Sequence, residues 1–310
     1  HDFWKAVNKG AEKAASELGA KITFVGPQNE TAIAEQLEQL NNAINKNPNA
    51  IALAALDTEA ELDAIKQAQS KNIPLIGFDS GVPGAPDGAI KATASTDNHA
   101  AGANAAEHLF PLLEKKLGDK PVRIGVVSQE ANSLSITQRT SGFIDKMVEL
   151  LEKKGIKTAV IGHDKFKNKV SESDAKAIIE VRVPAQVDDA AGKTEASTVL
   201  EKADTIAIYG SNEFAAKAII NANGSFKESK LGADKILAVG FDSGALQQDA
   251  IRNGIFVGSV TQDPIQIGYQ AVKLAIEAAQ GKEVKDVDTG SKWYDAKNID
   301  SDEIKPLLYK

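Results

Sequence analysis

Apolar residues at Phe3, Val7, Ala11, Ala14, Ala15 and Leu18 recur at helical spacing, and Gly19 just beyond Leu18 is a helix stop. A strand is expected over residues 21–26. Ile33, Leu37, Leu40 and Ile44 then mark a second helical face, and the unbroken apolar run from Ala50 to Leu56 predicts a strand covered on both sides. Thr58-Glu59-Ala60-Glu61 has the form of a capping box opening a third helix, which ends before Ile73-Pro74 and another apolar strand. The rhythm restarts near Pro121, with strands expected at 123–128, 158–161, 178–183, 205–210, 236–241 and 256–261. Helices are expected between them at 137–154, 190–202, 213–222, 245–253 and 264–279. The polar stretch 163–176 reads as an exposed insertion, and residues 286–310, without helical period, as a tail wrapping the surface.

Such alternation predicts α/β architecture: parallel sheets, right-handed and doubly wound. At 310 residues the chain exceeds the usual size of one core, so two lobes are expected. The apolar run before residue 77 ends in Gly77-Phe78-Asp79-Ser80-Gly81, and the run before residue 240 ends in the same five letters, Gly240-Phe241-Asp242-Ser243-Gly244. Each copy delivers an aspartate at the carboxyl edge of a buried strand, which is where open α/β sheets bind ligands. For the two edges to face one another, the chain must cross between lobes near 96–98, 262–264 and 289–291. The first lobe is then 1–96 plus 263–290, and the second 97–262 plus 291–310. Two facing carboxylates suit a hydroxyl-rich molecule, since a carboxylate accepts paired bonds from neighbouring hydroxyls. The alternative is that the aspartates only cap helices.

Composition narrows the classes. Lys+Arg 36 against Asp+Glu 43 gives a net charge of -7, with the basic residues scattered, which argues against a nucleic-acid partner. No stretch approaches 18 apolar residues, so no membrane span is expected. The absence of cysteine removes disulfides and thiolate chemistry. Gly192-Lys193-Thr194 is half of a phosphate loop, but the glycine that should precede it falls on Val187. His1, His99, His108 and His163 lack metal-ligand spacing. No cofactor, no metal and no catalytic group are expected. The chain opens on His1-Asp2-Phe3-Trp4 with no leader pattern.

The remaining candidates are contact residues. Phe3 and Trp4 stand side by side before the first helix, where an aromatic face can stack on the C–H face of a sugar ring. Arg139 lies near a helix start, where its fork can donate to oxygens or form a surface ion pair. Asn212 and Gln262 each follow a strand at its carboxyl edge.

These residues resemble those of bacterial solute-binding proteins of the ribose/galactose-binding type, over roughly residues 1–290. The likeness runs through Phe3-Trp4, Ile-Gly-Phe-Asp at Asp79, Thr-Gln-Arg-Thr-Ser-Gly-Phe at Arg139 and Gly-Ser-Asn-Glu-Phe-Ala at Asn212. It continues through Val-Gly-Phe-Asp at Asp242 and Val-Thr-Gln-Asp-Pro at Gln262. The resemblance implies a monomeric, extracytoplasmic protein, periplasmic or lipid-anchored, which closes two lobes on a monosaccharide and hands it to an ABC transporter permease. A sensor reporting to a membrane receptor or kinase would use the same cleft. A repressor's effector lobe would require a helix-turn-helix ahead of it, and none is seen. His1, Phe3, Trp4, Asp79, Arg139, Asn212, Asp242 and Gln262 form the expected ligand-binding set. Three departures follow: the strand that opens such proteins is missing ahead of Phe3, Ala55 replaces an asparagine of the ribose pattern, and Val187 replaces a stacking phenylalanine. The two substitutions, Ala55 and Val187, imply that a neutral hexose or similar polyol is preferred to ribose.

Overall fold

The computed structural model describes residues 2–309. The chain begins with α1 (Asp2–Leu18), α2 (Ile33–Asn45), β1 (Ile51–Leu53), α3 (Leu62–Ser70), β2 (Leu75–Phe78) and β3 (Ile90–Ser95). It continues through α4 (Asn98–Glu114), β4 (Val122–Val127), α5 (Leu134–Lys153), β5 (Thr158–Ile161), β6 (Ala177–Arg182) and α6 (Asp189–Leu200). Then come β7 (Thr205–Gly210), α7 (Glu213–Gly224), β8 (Leu237–Phe241), α8 (Ala245–Arg252) and β9 (Gly258–Gln262). The last elements are α9 (Pro264–Ala279), β10 (Val287–Asp288) and β11 (Ser291–Tyr294).

Two sheets result. The first is parallel, in the order β1-β2-β3-β10, and the second runs β11-β9-β8-β7-β4-β6-β5, parallel except where β11 meets β9. The chain passes from one sheet to the other after β3, after β9 and after β10. Successive strand residues point to opposite faces, so each sheet is covered twice. In the large sheet Val126, Tyr209, Val239 and Val260 pack under α4 and α5 through Leu109, Phe143 and Met147. Val127, Ile208 and Ala238 face Ala196, Val199, Ile219 and Ile251 of α6, α7 and α8. In the small sheet Leu53 and Leu75 meet Ile44 and Ile65 of α2 and α3, while Ile76, Ala92 and Ala94 meet Leu274 of α9.

Several expectations are corrected. Residues 21–26 form no strand: they pair with none of the described strands, and Ile22, Phe24 and Val25 are exposed. The capping box is not formed; Asp57 Oδ1 accepts from the N–H groups of Glu59 and Ala60 at 2.8 Å, and α3 starts later. Phe3 and Trp4 lie inside the first turn of α1, not before it. β3 and α4 carried no expectation, because the sequence of α4 is rich in alanine and interrupted by Pro111, which blurs its helical stripe. The tail does more than wrap: β10 joins the first sheet and β11 the second. The stretch 163–176 is loop with one 3-10 turn, Glu172–Asp174, and is pinned to the edge of β5 by Asn168, whose Oδ1 accepts from Val160 N at 3.0 Å.

Candidate functional site

The two Gly-Phe-Asp-Ser-Gly copies leave their strands through the same unusual backbone. Asp79 has φ 60 and Asp242 φ 77, a left-handed conformation that aspartate tolerates better than most side chains. The N–H of each still bonds the following strand, Asp79 to Ala94 O at 2.9 Å and Asp242 to Val260 O at 2.7 Å. The kink therefore comes at a fixed point, one residue past the strand.

Around Asp242 the second lobe builds a dense polar cage. Its carbonyl accepts from Ser259 Oγ and Tyr294 Oη, both at 2.8 Å, and from Gln247 Nε2 at 3.2 Å. Its carboxylate accepts from Gln262 Nε2 at 2.5 Å and from Glu213 N, at the start of α7, at 3.0 Å. That last N–H is one of the orphan donors every helix start leaves open. So the capping alternative holds in part for Asp242. Arg139 stands 3.6 Å away, and both residues are almost wholly buried. Burial pushes the Asp242 carboxyl above its ordinary value, against the opposing pull of Arg139.

Arg139 reaches this place because α4 and α5 touch backbone to backbone. A Cβ on Gly102 would lie 2.2 Å from Arg139 O, and one on Gly142 would lie 2.1 Å from His99 O, so only glycine fits either position. The guanidinium then donates to Asn98 Oδ1 at 2.9 Å and to Ser211 O at 3.4 Å, with its carbon 4.1 Å from the Phe241 ring centroid. Its Nε has no hydrogen-bond partner among the described residues. The surface ion-pair alternative for Arg139 is thereby set aside.

Asn212 caps α7, accepting from Ala215 N at 2.9 Å, and donates to Gln129 Oε1 at 2.8 Å. Gln262 accepts from Thr96 Oγ1 at 2.8 Å while donating to Asp242, so it ties two of the crossing segments together. From the first lobe, Phe3 is buried with Val7 and Ile267, and Trp4 packs edge-on against it and against Phe78. Trp4 Nε1 donates to Glu30 Oε1 at 3.2 Å.

Phe3, Trp4, Asp79, Arg139, Asn212, Asp242 and Gln262 all line one cavity between the lobes. A larger cavity of about 410 Å³ on the far side of Asp79 contains none of the others. The site cavity is closed by contacts from lobe to lobe. Asn132 Nδ2 donates to Leu56 O at 2.6 Å, Thr58 N to Asn132 O at 3.2 Å, Ser135 N to Ser80 Oγ at 3.0 Å and Phe3 N to Glu213 Oε2 at 3.3 Å. His1 lies outside the described residues. Ala55 lines the cavity, but Val187 does not: it sits on the loop before α6, so a role for it in ligand choice finds no support in this geometry.

Sequence reasoning missed Glu30, Gln129, Glu130, Ser133 and Ser135, which also line the cavity. Gln129 and Glu130 follow β4 as Asp79 follows β2, so the carboxyl-edge rule would have found them. Glu30 stands in a loop with no periodic signal. Burial pushes the Glu130 carboxyl up to about 7, reinforced by the charge of Glu30 and opposed by bonds from Ser133.

Two doubly wound lobes, linked by three chain crossings and closed over a cavity of carboxylates, amides, one arginine and aromatic rings, define a two-lobe α/β binding protein. The chain belongs to the family described as periplasmic binding protein domain, whose model matches residues 1–283. It is 25% identical to a D-allose-binding periplasmic protein of Escherichia coli over 291 residues, covering 92% of this chain and 83% of that one. A structure from Brachyspira murdochii titled ABC transporter, LacI family transcriptional regulator is 39% identical, with a TM-score of 0.81 over 100% of this chain and 95% of that one. An ABC transporter solute-binding protein of Agrobacterium vitis with bound D-fucose is 29% identical, with a TM-score of 0.82 and coverage of 100% and 96%.

Proposed function

We propose that this chain captures a monosaccharide between its two lobes and delivers it to an ABC transporter permease. It works outside the cytoplasm, free in the periplasm or held by a lipid anchor, as a monomer and without catalysis. The observation that carries this reading is the convergence of Asp79 from one lobe and Asp242, Arg139 and Asn212 from the other on one cavity. Relatives that hold D-fucose or are named for D-allose support the ligand class.

The chemistry follows from the donor set. Asp79 and Asp242 accept from sugar hydroxyls, Arg139 and Asn212 donate to ring or hydroxyl oxygens, and Trp4 offers a ring platform. The lobe-to-lobe bonds at Ser80, Asn132 and Glu213 form only when the jaws meet, so a ligand touching both lobes favours the closed state by differential contact. The side chain of Ala55 offers no polar atom where the ribose pattern has an asparagine, so ribose is expected to bind at least about ten-fold more weakly than the best six-carbon ligand.

A calorimetric panel of aldopentoses and hexoses, joined to solution scattering with and without the best binder, tests the reading. Binding of a hexose with a fall in radius of gyration supports it. A panel in which no sugar binds, or binding without any change in scattering, counts against it.

A further inference from the structure

Glu130 was no part of the expected set, and its surroundings give it a part in binding. It follows β4 at the carboxyl edge, is 3% exposed and lines the cavity. Its Oε1 accepts from Ser133 Oγ at 2.9 Å and from Ser133 N at 3.3 Å, while the buried Oε2 has no hydrogen-bond partner among the described residues. Buried polar atoms are almost always paired, so an open one on a residue that lines a ligand cavity marks a place for the ligand.

Which ligand atom suits Oε2 depends on its proton. Burial pushes the Glu130 carboxyl up to about 7; the charge of Glu30, on the loop before α2, adds to this, and donors from Ser133 and the Asn132 N–H oppose it. The other charged groups lining the cavity are Asp79 after β2, Asp242 after β8 and Arg139 on α5, the last two 3.6 Å from each other. Lys165, exposed on the loop after β5, donates to the neighbouring Ala131 O. In the acid form the oxygen held by Ser133 is the carbonyl, and Oε2 carries the O–H, a donor. Taking this cavity as the sugar site, we propose that Glu130 is a further ligand-binding residue, a neutral acid whose Oε2–H donates to a sugar oxygen, so that capture weakens when this proton is lost. The ionised form has no donor to offer and shuts a charge into a closed cavity. A neutral sugar fits the acid form, since its ring and hydroxyl oxygens are acceptors.

Glu130→Gln copies the acid form: Oε1 still accepts from Ser133, and Nε2 donates at every pH. Calorimetry at pH 6 and pH 8 with D-glucose, D-galactose, D-allose and D-fucose, none of which titrates in that range, follows the tightest binder. The parent should bind about ten-fold more weakly at pH 8, where roughly a tenth of a group titrating near 7 keeps its proton. E130Q should match the parent at pH 6 within about two-fold and hold that affinity at pH 8. Glu130→Ala, with no donor, should bind about ten-fold more weakly than the parent at pH 6. An affinity in the parent that is flat or rises with pH, a fall that survives in E130Q, or a large loss in E130Q at pH 6 overturns the donor role and leaves sugar capture standing. If no sugar binds at either pH, the cavity is not a sugar site and both readings fall. Circular dichroism and melting curves of the variants at both pH values confirm that folded proteins are compared.

Discussion

Asp79 and Asp242 share five residues of sequence and one left-handed backbone, yet their surroundings differ in kind. Asp242 sits in a cage supplied by its own lobe, with Ser259, Tyr294 and Gln247 on its carbonyl and Gln262, Glu213 and Arg139 around its carboxylate. The serine that follows repeats the contrast. Ser243 Oγ donates to Leu307 O at 3.2 Å and accepts from Thr261 at 2.9 Å, within the second lobe, whereas Ser80 Oγ accepts from Ser135 N across the cleft. The same pentapeptide therefore makes one jaw whose serine is held within its own lobe and one whose serine bonds across the cleft, and on the proposed reading only the second waits for closure. Local sequence sets the backbone, and the neighbours decide what it costs to disturb it.

The largest test of this difference is removal of Arg139. Arg139→Met leaves Asp242 buried without its cation, and losing one partner of a buried pair costs about 3–5 kcal/mol of stability. Urea denaturation should show that loss; a midpoint unchanged from the parent would mean that the cage is not preassembled.

Both aspartates are expected to matter to affinity, but in different company. Asp79→Ala and Asp242→Ala are each expected to weaken sugar binding by about 2–4 kcal/mol, roughly 30-fold to 1000-fold. Only Asp242→Ala should also lower stability markedly, because it strands Arg139. Calorimetry paired with denaturation checks this, and a folded variant with less than about a three-fold change in affinity would remove that aspartate from the site.

The serines give a finer version, at about 1 kcal/mol each. Ser80→Ala should reduce affinity and leave the denaturation midpoint alone, since its bond exists only between closed jaws. Ser243→Ala should lower stability and leave affinity alone. Matching effects from the two would erase the distinction between the jaws.

The smallest effect is one of pH. Glu61, in the first lobe, is fully buried, and neither of its carboxyl oxygens accepts a hydrogen bond from another described residue. Burial pushes its carboxyl from the ordinary 4.5 to about 7. Between those values the folded chain holds a proton that the unfolded chain has lost, so stability falls as pH rises through that window. Glu61→Gln should flatten the part of the decline that Glu61 causes, seen in melting temperatures taken across the window, while the similarly raised Glu130 keeps its own share.

Much of this was legible in the sequence because the informative residues sit where strands end. Asp79 and Asp242 could be placed by finding an apolar run and reading the next polar letter, and Asn212 and Gln262 by reading one letter further. The strand expected at 21–26 failed because an apolar stretch records what a segment could do, whereas a strand also needs a neighbour to pair with, and 21–26 pairs with none of the described strands. α4 escaped because a helix buried on most sides and rich in alanine has little polar contrast. Glu30 belongs to the cavity through the path of a loop, which no periodicity encodes. That Arg139 lies against Asp242 depends on Gly102 and Gly142 bringing two helices into contact, a packing fact spread over residues far apart in the chain.

The most direct test is a crystal structure of the protein with the sugar that ranks first in the calorimetric panel. The account predicts one sugar in the cavity with hydroxyls about 3 Å from the carboxylates of both Asp79 and Asp242. A sugar bound to one lobe only, or lodged in the larger cavity beyond Asp79, would contradict it.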